Sequence, residues 1–178
     1  MEDLTDKQKQ IIFSVGSALE KRHKDLADLL THVFSNGQDC FATCPKMMFV
    51  YKNSFIPRGA YAIEKEIIRK ENFLPFKLDS EIKTLETFVN ETLHSKENFV
   101  VRFFSLKTEV YKKPYVEAKF SFKNINYIAT MDAFYFVKAL SFVGDDFKLC
   151  QASVKKININ IFKSKDQNKI VFLASKVV

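Results

Sequence analysis

Between Phe99 and Phe142 phenylalanine and lysine alternate almost without a break. Val116, Ala118, Phe120 and Phe122 take turns with Glu117, Lys119, Ser121 and Lys123, the period-two signature of a half-buried strand. Aromatics and charges then fall on opposite faces, so Phe120 and Phe122 are expected in a core and Lys119 and Lys123 in water. A platform that stacks bases needs both kinds on one face. The remainder of this half also reads as strand. Ala133 to Val143 is apolar on both parities except for Lys138, which predicts a central strand covered on both faces, with a short helix as the alternative. Gly144-Asp145-Asp146 is expected to be a hairpin turn. Leu149, Ala152 and Val154 lose phase with Ile157, Ile159 and Ile161, and Lys155-Lys156 sits at the slip, where a β-bulge would lie. Residues 164–168 turn the chain into a last strand, Ile170 to Val177.

The N-terminal half is helical in pattern. Thr5 and Gln8 make a capping box. Ile12, Val15, Leu19, Leu26, Leu29, Leu30, Val33 and Phe34 follow as a stripe, with Gly16 a weak point and the polar residues 20–25 either a break between two helices or a solvent face, predicting a helical region from about 5 to 35 with Asn36-Gly37 as its stop. Met47 to Tyr51 is β-prone, and the turn chemistry of residues 52–59 leads to a second short strand. Ala62, Ile63 and Ile67, with Glu–Lys pairs at helical spacing, predict a helix over 60–71. Ile82, Leu85, Phe88, Val89 and Leu93 also favour a helix, although Thr84, Thr87 and Thr92 are strand formers. The fold class expected is α+β: one domain over residues 1–178, with N-terminal helices packed on a long, curved, mostly antiparallel sheet.

The chain has 178 residues, 47% hydrophobic and 28% charged, which suits a folded protein with a sizeable core. Its charge of +7 is uneven. From Lys148 onward seven lysines face one acid, Asp166, leaving residues 1–147 nearly neutral. A basic C-terminal hairpin suggests a polyanion or an acidic protein, or else a strand edge guarded by lysine. For nucleic acid the candidates are Lys155, Lys156, Lys163 and Lys165, with Tyr111, Lys112, Lys113 and Tyr115 in a turn; as an alternative those last four are simply a β-turn with proline. Contact with RNA or DNA there would be non-specific. No apolar run approaches the ~20 residues that cross a bilayer, and the polar start is unlike a secretory signal, so an intracellular, soluble protein without a membrane partner is expected. Cys40, Cys44 and Cys150 are too few for a disulfide framework and read as reduced thiols.

Chemistry-bearing motifs are sparse. The four glycines, Gly16, Gly37, Gly59 and Gly144, are too far apart for a phosphate-binding loop. Cys40-x-x-x-Cys44 with His32 has metal-like spacing, but a zinc site would need Cys150 and His94 to complete it, and buried thiols are the better reading. Asp132 and His94 are the two candidates for a catalytic base; Asp132 fits a cap and His94 an exposed turn. No enzyme, metal or cofactor is therefore expected.

NSFIPRGAYAIEKEI, AKFSF, AFYFVKAL, the GDD turn and FKLCQASVKKI stand in an order that resembles the nuclear transport factor two-like fold, a cone of bent sheet around helices. The resemblance implies strand rather than helix over residues 82–93. It also implies a non-catalytic adaptor in macromolecular transport, similar to the small subunit of an mRNA-export heterodimer, in nucleus and cytoplasm; the alternatives are a basic β-sheet nucleic-acid-binding protein acting alone and, third, a small-molecule enzyme using the cone's pocket. With helices on the concave side alone, Tyr135, Val137, Ala139, Val143 and Leu149 would form an apolar outer face that a partner covers, in a homo- or heterodimer.

Overall fold

The computed structural model describes residues 3–19, 26–97, 100–109, 112–122 and 125–175; the side chains of 96–97, 100–109, 112–113, 120–122 and 125–127 lie outside that description. Among the described residues it is an α+β fold with three α-helices, α1 (Asp6–Gly16), α2 (Pro75–His94) and α3 (Ala133–Val143). The strands are β1 (Val33–Ser35), β2 (Cys40–Cys44), β3 (Met47–Tyr51), β4 (Gly59–Glu64), β5 (Ile67–Glu71), β6 (Lys96–Glu97), β7 (Val100–Glu109), β8 (Lys112–Phe122), β9 (Ile125–Asp132), β10 (Phe147–Val154), β11 (Ile157–Ser164) and β12 (Lys169–Ala174). Nine of them form one sheet in the order β5-β4-β1-β2-β3-β12-β11-β10-β6, and β7-β8-β9 form a second, smaller one.

The large sheet is organised about its β3–β12 seam, where Met47 to Tyr51 runs antiparallel to Leu173 to Lys169. On either side the order is mirrored, β1-β2-β3 against β12-β11-β10, and each half is preceded in the chain by a helix, α1 or α3. Both of those helices bury into one core with Cys40, Ala42, Phe49, Val171 and Leu173. The alternate residues Phe41, Val50, Ile161, Ile170 and Phe172 point the other way, under Ile82, Leu85 and Val89 of α2. Both faces are thus covered, which is why β2, β3 and β12 are apolar at successive positions rather than alternating.

This corrects the cone. Residues 133–143 are a helix, capped at its start by Asp132, whose carboxylate accepts from Phe134 N–H at 2.9 Å, and closed by Gly144 at φ +86°. Phe134, Tyr135, Phe136 and Val137 are strand formers by propensity, but the cap and the glycine stop bracket one helical segment whose Phe142 stacks on Phe49 of the seam (4.4 Å, 12°). Residues 99–177 therefore do not make one sheet: α3 separates the three-stranded sheet from β10–β12. Helices pack on both faces of the large sheet, α1 and α3 on one and α2 on the other, so among the described residues the expected open outer face does not form there. Residues 82–93 belong to α2, as their local spacing says and the cone resemblance does not.

Two N-terminal expectations also change. The capping box at Thr5 and Gln8 forms as read, but α1 ends at Gly16, and Val33 and Phe34 are strand residues buried between β2 and β4. Gly16 marks a close approach: a Cβ there would lie 2.3 Å from Ile63 Cδ1 and 3.3 Å from Val33 Cγ2. Residues 60–71 form the β4–β5 hairpin, turning at Lys65-Glu66 with Lys65 at φ +57°; the Glu–Lys spacing that mimicked a helix is the turn and its charged flanks. The turn at 164–168 and the strand after it stand where expected, with the strand ending at Ala174.

Candidate functional site

α2 seats on the sheet through Ile82, Leu85, Val89 and Thr92, which recur at three- and four-residue steps along one face. Phe88 lies at the border of that face, half-buried, its ring edge-on to Phe172 at 5.6 Å. Beside it the helix, the 3₁₀ turn Asp28–Leu30 and the ends of β3, β11 and β12 leave a cleft of about 310 Å³. Its walls include Leu29, Leu85, Phe88, Ile159 and Phe172, and Ile157, 55% exposed, stands at its mouth. Among the described residues Lys46 is the one charged residue lining it.

Two tight turns frame that mouth. Pro45-Lys46 joins β2 to β3, and Lys46 also sits 5.5 Å from the ring of Tyr135. Lys155-Lys156 joins β10 to β11, with Val154 paired to Ile157. The two lysines are the turn itself, not a bulge, and both take left-handed backbone, φ +49° and +69°. They are exposed. The same end of the sheet therefore gathers apolar side chains and three ammonium groups.

The remaining lysines proposed for nucleic acid lie elsewhere. Lys163 and Lys165 are at the far end of β11, about seven residues or ~23 Å from the Lys155-Lys156 turn. Lys163 is paired across the ladder with Lys148, and Lys165 bridges Asp146 at 3.5 Å. The C-terminal hairpin is thus not one continuous basic surface. Tyr115 is half-buried within β8, so it belongs to a strand and not to a turn; Tyr111 and the side chains of Lys112 and Lys113 lie outside the described residues.

Of the expected partner face, Val137 is 60% exposed and Tyr135 half-buried, while Ala139, Val143 and Leu149 are core residues. That follows from helical geometry: in α3 the buried positions are 133, 139, 142 and 143, not one strand parity. Phe134, on the parity assigned to the core, is instead 62% exposed, with Lys138 Nζ 5.0 Å from its ring.

The candidates for chemistry have structural partners. Asp132 caps α3, and His94 is exposed in the last turn of α2. His32 Nδ1 lies 2.9 Å from Thr31 Oγ1 and 3.1 Å from the Asp28 carbonyl. All three cysteines are buried as free thiols; burial pushes the Cys40 thiol well above its ordinary value, which suits a packing residue rather than a metal ligand or nucleophile. Cys40 and Cys44 face the α1 side of the sheet and Cys150 the α2 side, so the sheet itself stands between them. Among the described residues no group of His, Cys, Asp or Glu is arranged to hold a metal. No helix among them is long and apolar enough to cross a membrane.

No family model and no curated protein matches the sequence. Among solved structures the chain is similar to the DNA polymerase sliding clamp of Pseudomonas aeruginosa, with a TM-score of 0.50 at 8% identity, over 97% of this chain and 64% of that one. It also matches a chain described as a candidate DNA polymerase III beta subunit from Eubacterium rectale ATCC 33656, with a TM-score of 0.46 at 10% identity, over 96% of this chain and 63% of that one. The chain thus spans slightly less than two thirds of either structure. At such identity the likeness is one of fold. It replaces the nuclear transport factor two-like resemblance, and the mRNA-export role, the export partner and the localisation drawn from that resemblance go with it. The fold this sequence adopts is α+β, and it is similar to the fold of the Pseudomonas aeruginosa sliding clamp.

Proposed function

We propose that the chain is a non-catalytic interaction module that holds an apolar segment of a partner protein in the cleft between α2 and the ends of β11 and β12. The observation that carries the reading is the cleft itself: about 310 Å³, apolar walls, and an exposed Ile157 at its mouth beside two lysine-bearing turns. A protein keeps large apolar groups at such a place at some cost in solubility, and concave apolar clefts with a few polar groups are where ligands bind. The fold shared with a DNA polymerase sliding clamp supports a scaffold that works through contacts rather than through a reaction. Each aliphatic or aromatic anchor buried there would contribute ~1.5–3 kcal/mol before the cost of association is subtracted, so two or three anchors give a weak, reversible complex.

The test uses fluorescent peptides carrying two or three leucine or phenylalanine residues in a serine background. Saturable binding to the full chain, weakened at least tenfold by Ile157→Glu and by Phe88→Asp in folded variants, is the expected result. No binding by any such peptide, or binding unchanged in both variants, would remove the reading.

A further inference from the structure

The Lys155-Lys156 turn has a feature that packing does not require. A two-residue connection between antiparallel strands that puts both central residues at positive φ calls for Asn-Gly, because those residues tolerate left-handed backbone and lysine does not. Two lysines here hold strained backbone at the tip of a hairpin, in water. Neither has an ion-pair partner among the described residues, whereas Lys52 pairs with Asp39, Lys77 with Asp28, and Lys165 with Asp146. The next residue in the chain is Ile157, at the mouth of the apolar cleft, and Lys46 lines the same cleft from the neighbouring turn. Among the described residues no acidic side chain lines the cleft. Strain retained at an exposed charged pair beside a binding cleft is what a recognition element looks like.

We infer that the Lys155-Lys156 turn reads carboxylates, so that the occupant of the cleft is a peptide segment with acidic residues next to its apolar anchors. This deepens the interaction-module reading above and rests on it. A nucleic acid is the less fitting occupant: of the two aromatic rings lining the cleft, Phe172 is buried and Phe88 is half-buried and engaged edge-on with it, which is not an open platform for stacking. Position supplies the selectivity. The apolar anchors fix the segment in the cleft, and the turn then meets whatever flanks them.

Three probes on the full chain decide it: a leucine- and phenylalanine-bearing peptide flanked by Asp-Asp, the same peptide flanked by Ser-Ser, and a single-stranded oligonucleotide. At low salt the acidic peptide should bind about three- to tenfold tighter than its serine counterpart, the range expected for two exposed charge pairs, and the advantage should shrink at high salt. Lys155→Asn with Lys156→Gly supplies the dipeptide that the turn prefers. That variant should melt no lower than the parent while the preference for the acidic peptide vanishes and the affinity for the serine peptide stays. Lys155→Glu with Lys156→Glu should invert the preference. Equal affinity of both peptides for the parent, or a preference that survives both variants, would overturn the inference while leaving the cleft reading intact. If neither peptide binds, the cleft reading falls and this inference with it. If the oligonucleotide alone binds, and is lost in the Asn-Gly variant, the turn is a phosphate contact and the inference is wrong.

Discussion

Replacing Phe142 by alanine tests the packing that sets α3 against the seam of the large sheet. Phe142 is 3% exposed and its ring lies 4.4 Å from that of Phe49, nearly parallel. Truncation removes a whole buried ring and leaves a cavity against β3 and β12, where a Phe→Ala change costs about 3–5 kcal/mol. For a chain of this size that corresponds to a fall in melting temperature of roughly 6–20 °C. Phe134→Ala is the control: its ring is 62% exposed, so the change should stay within about ±0.5 kcal/mol. Equilibrium urea unfolding followed by far-UV circular dichroism, with an unchanged m-value, gives both numbers. Residues 134 and 142 share a parity, so in a strand both would lie on one face and the two losses would be alike. Equal losses, or a loss below about 1 kcal/mol at Phe142, would refute the helix and its seat on the seam.

Three further outcomes follow from the packing and hydrogen bonds. The thiols of Cys40, Cys44 and Cys150 should react with a water-soluble disulfide reagent only as fast as the protein unfolds; rapid stoichiometric labelling in the native state would contradict their burial. Gly16→Val should destabilise by about 1–3 kcal/mol, since the added branches run into Ile63 and Val33, and a neutral result in thermal melts would show that α1 does not approach β1 and β4 so closely. The Asp166 carboxyl is held below the usual carboxylate range by the Ser164 hydroxyl, which donates to it at 2.6 Å, and by the Asn168 backbone N–H. A folded-state value below the unfolded one adds stability that is present above the unfolded value and fades as pH falls through the folded one. Asp166→Asn should therefore flatten part of the acid limb of a pH–stability curve while changing the slope little near neutrality; an unaltered acid limb counts against that turn.

Much of the backbone was legible. The capping box at Thr5 and Gln8, the strand at Met47 to Tyr51, the helical face Ile82-Leu85-Val89 and the alternation of buried Val116 and Ala118 with exposed Lys119 all stand as their local patterns say. These are short-range signals in which side-chain spacing and burial agree. Where the reading failed, local and tertiary preferences conflict. Ala133 to Val143 carries strand-forming residues, but it is bracketed by Asp132 and Gly144 and is packed into a core on one side. Lys65-Glu66 and Lys155-Lys156 are tight turns made of residues that rarely occupy left-handed backbone, so neither carries the glycine or asparagine that marks such a turn in sequence. The cone was inferred from element order alone, and helices followed by antiparallel strands satisfy more than one architecture. The cleft was invisible for a different reason: Leu29, Phe88, Ile157 and Lys46 come from four separate segments and meet only through the β3–β12–β11 pairing. A signal was nonetheless present at Ile157, an isoleucine directly after two lysines where the strand phase slips.

The most direct test of the cleft is a methyl-labelled NMR titration of the full chain with the Asp-flanked leucine and phenylalanine peptide. The account predicts saturable shifts of the Ile157 and Ile159 δ-methyl resonances with one dissociation constant, while Ile67 and Ile128, exposed but remote from the cleft, stay unmoved. Shifts at Ile67 or Ile128 without any at Ile157, or no saturable change at all, would contradict it.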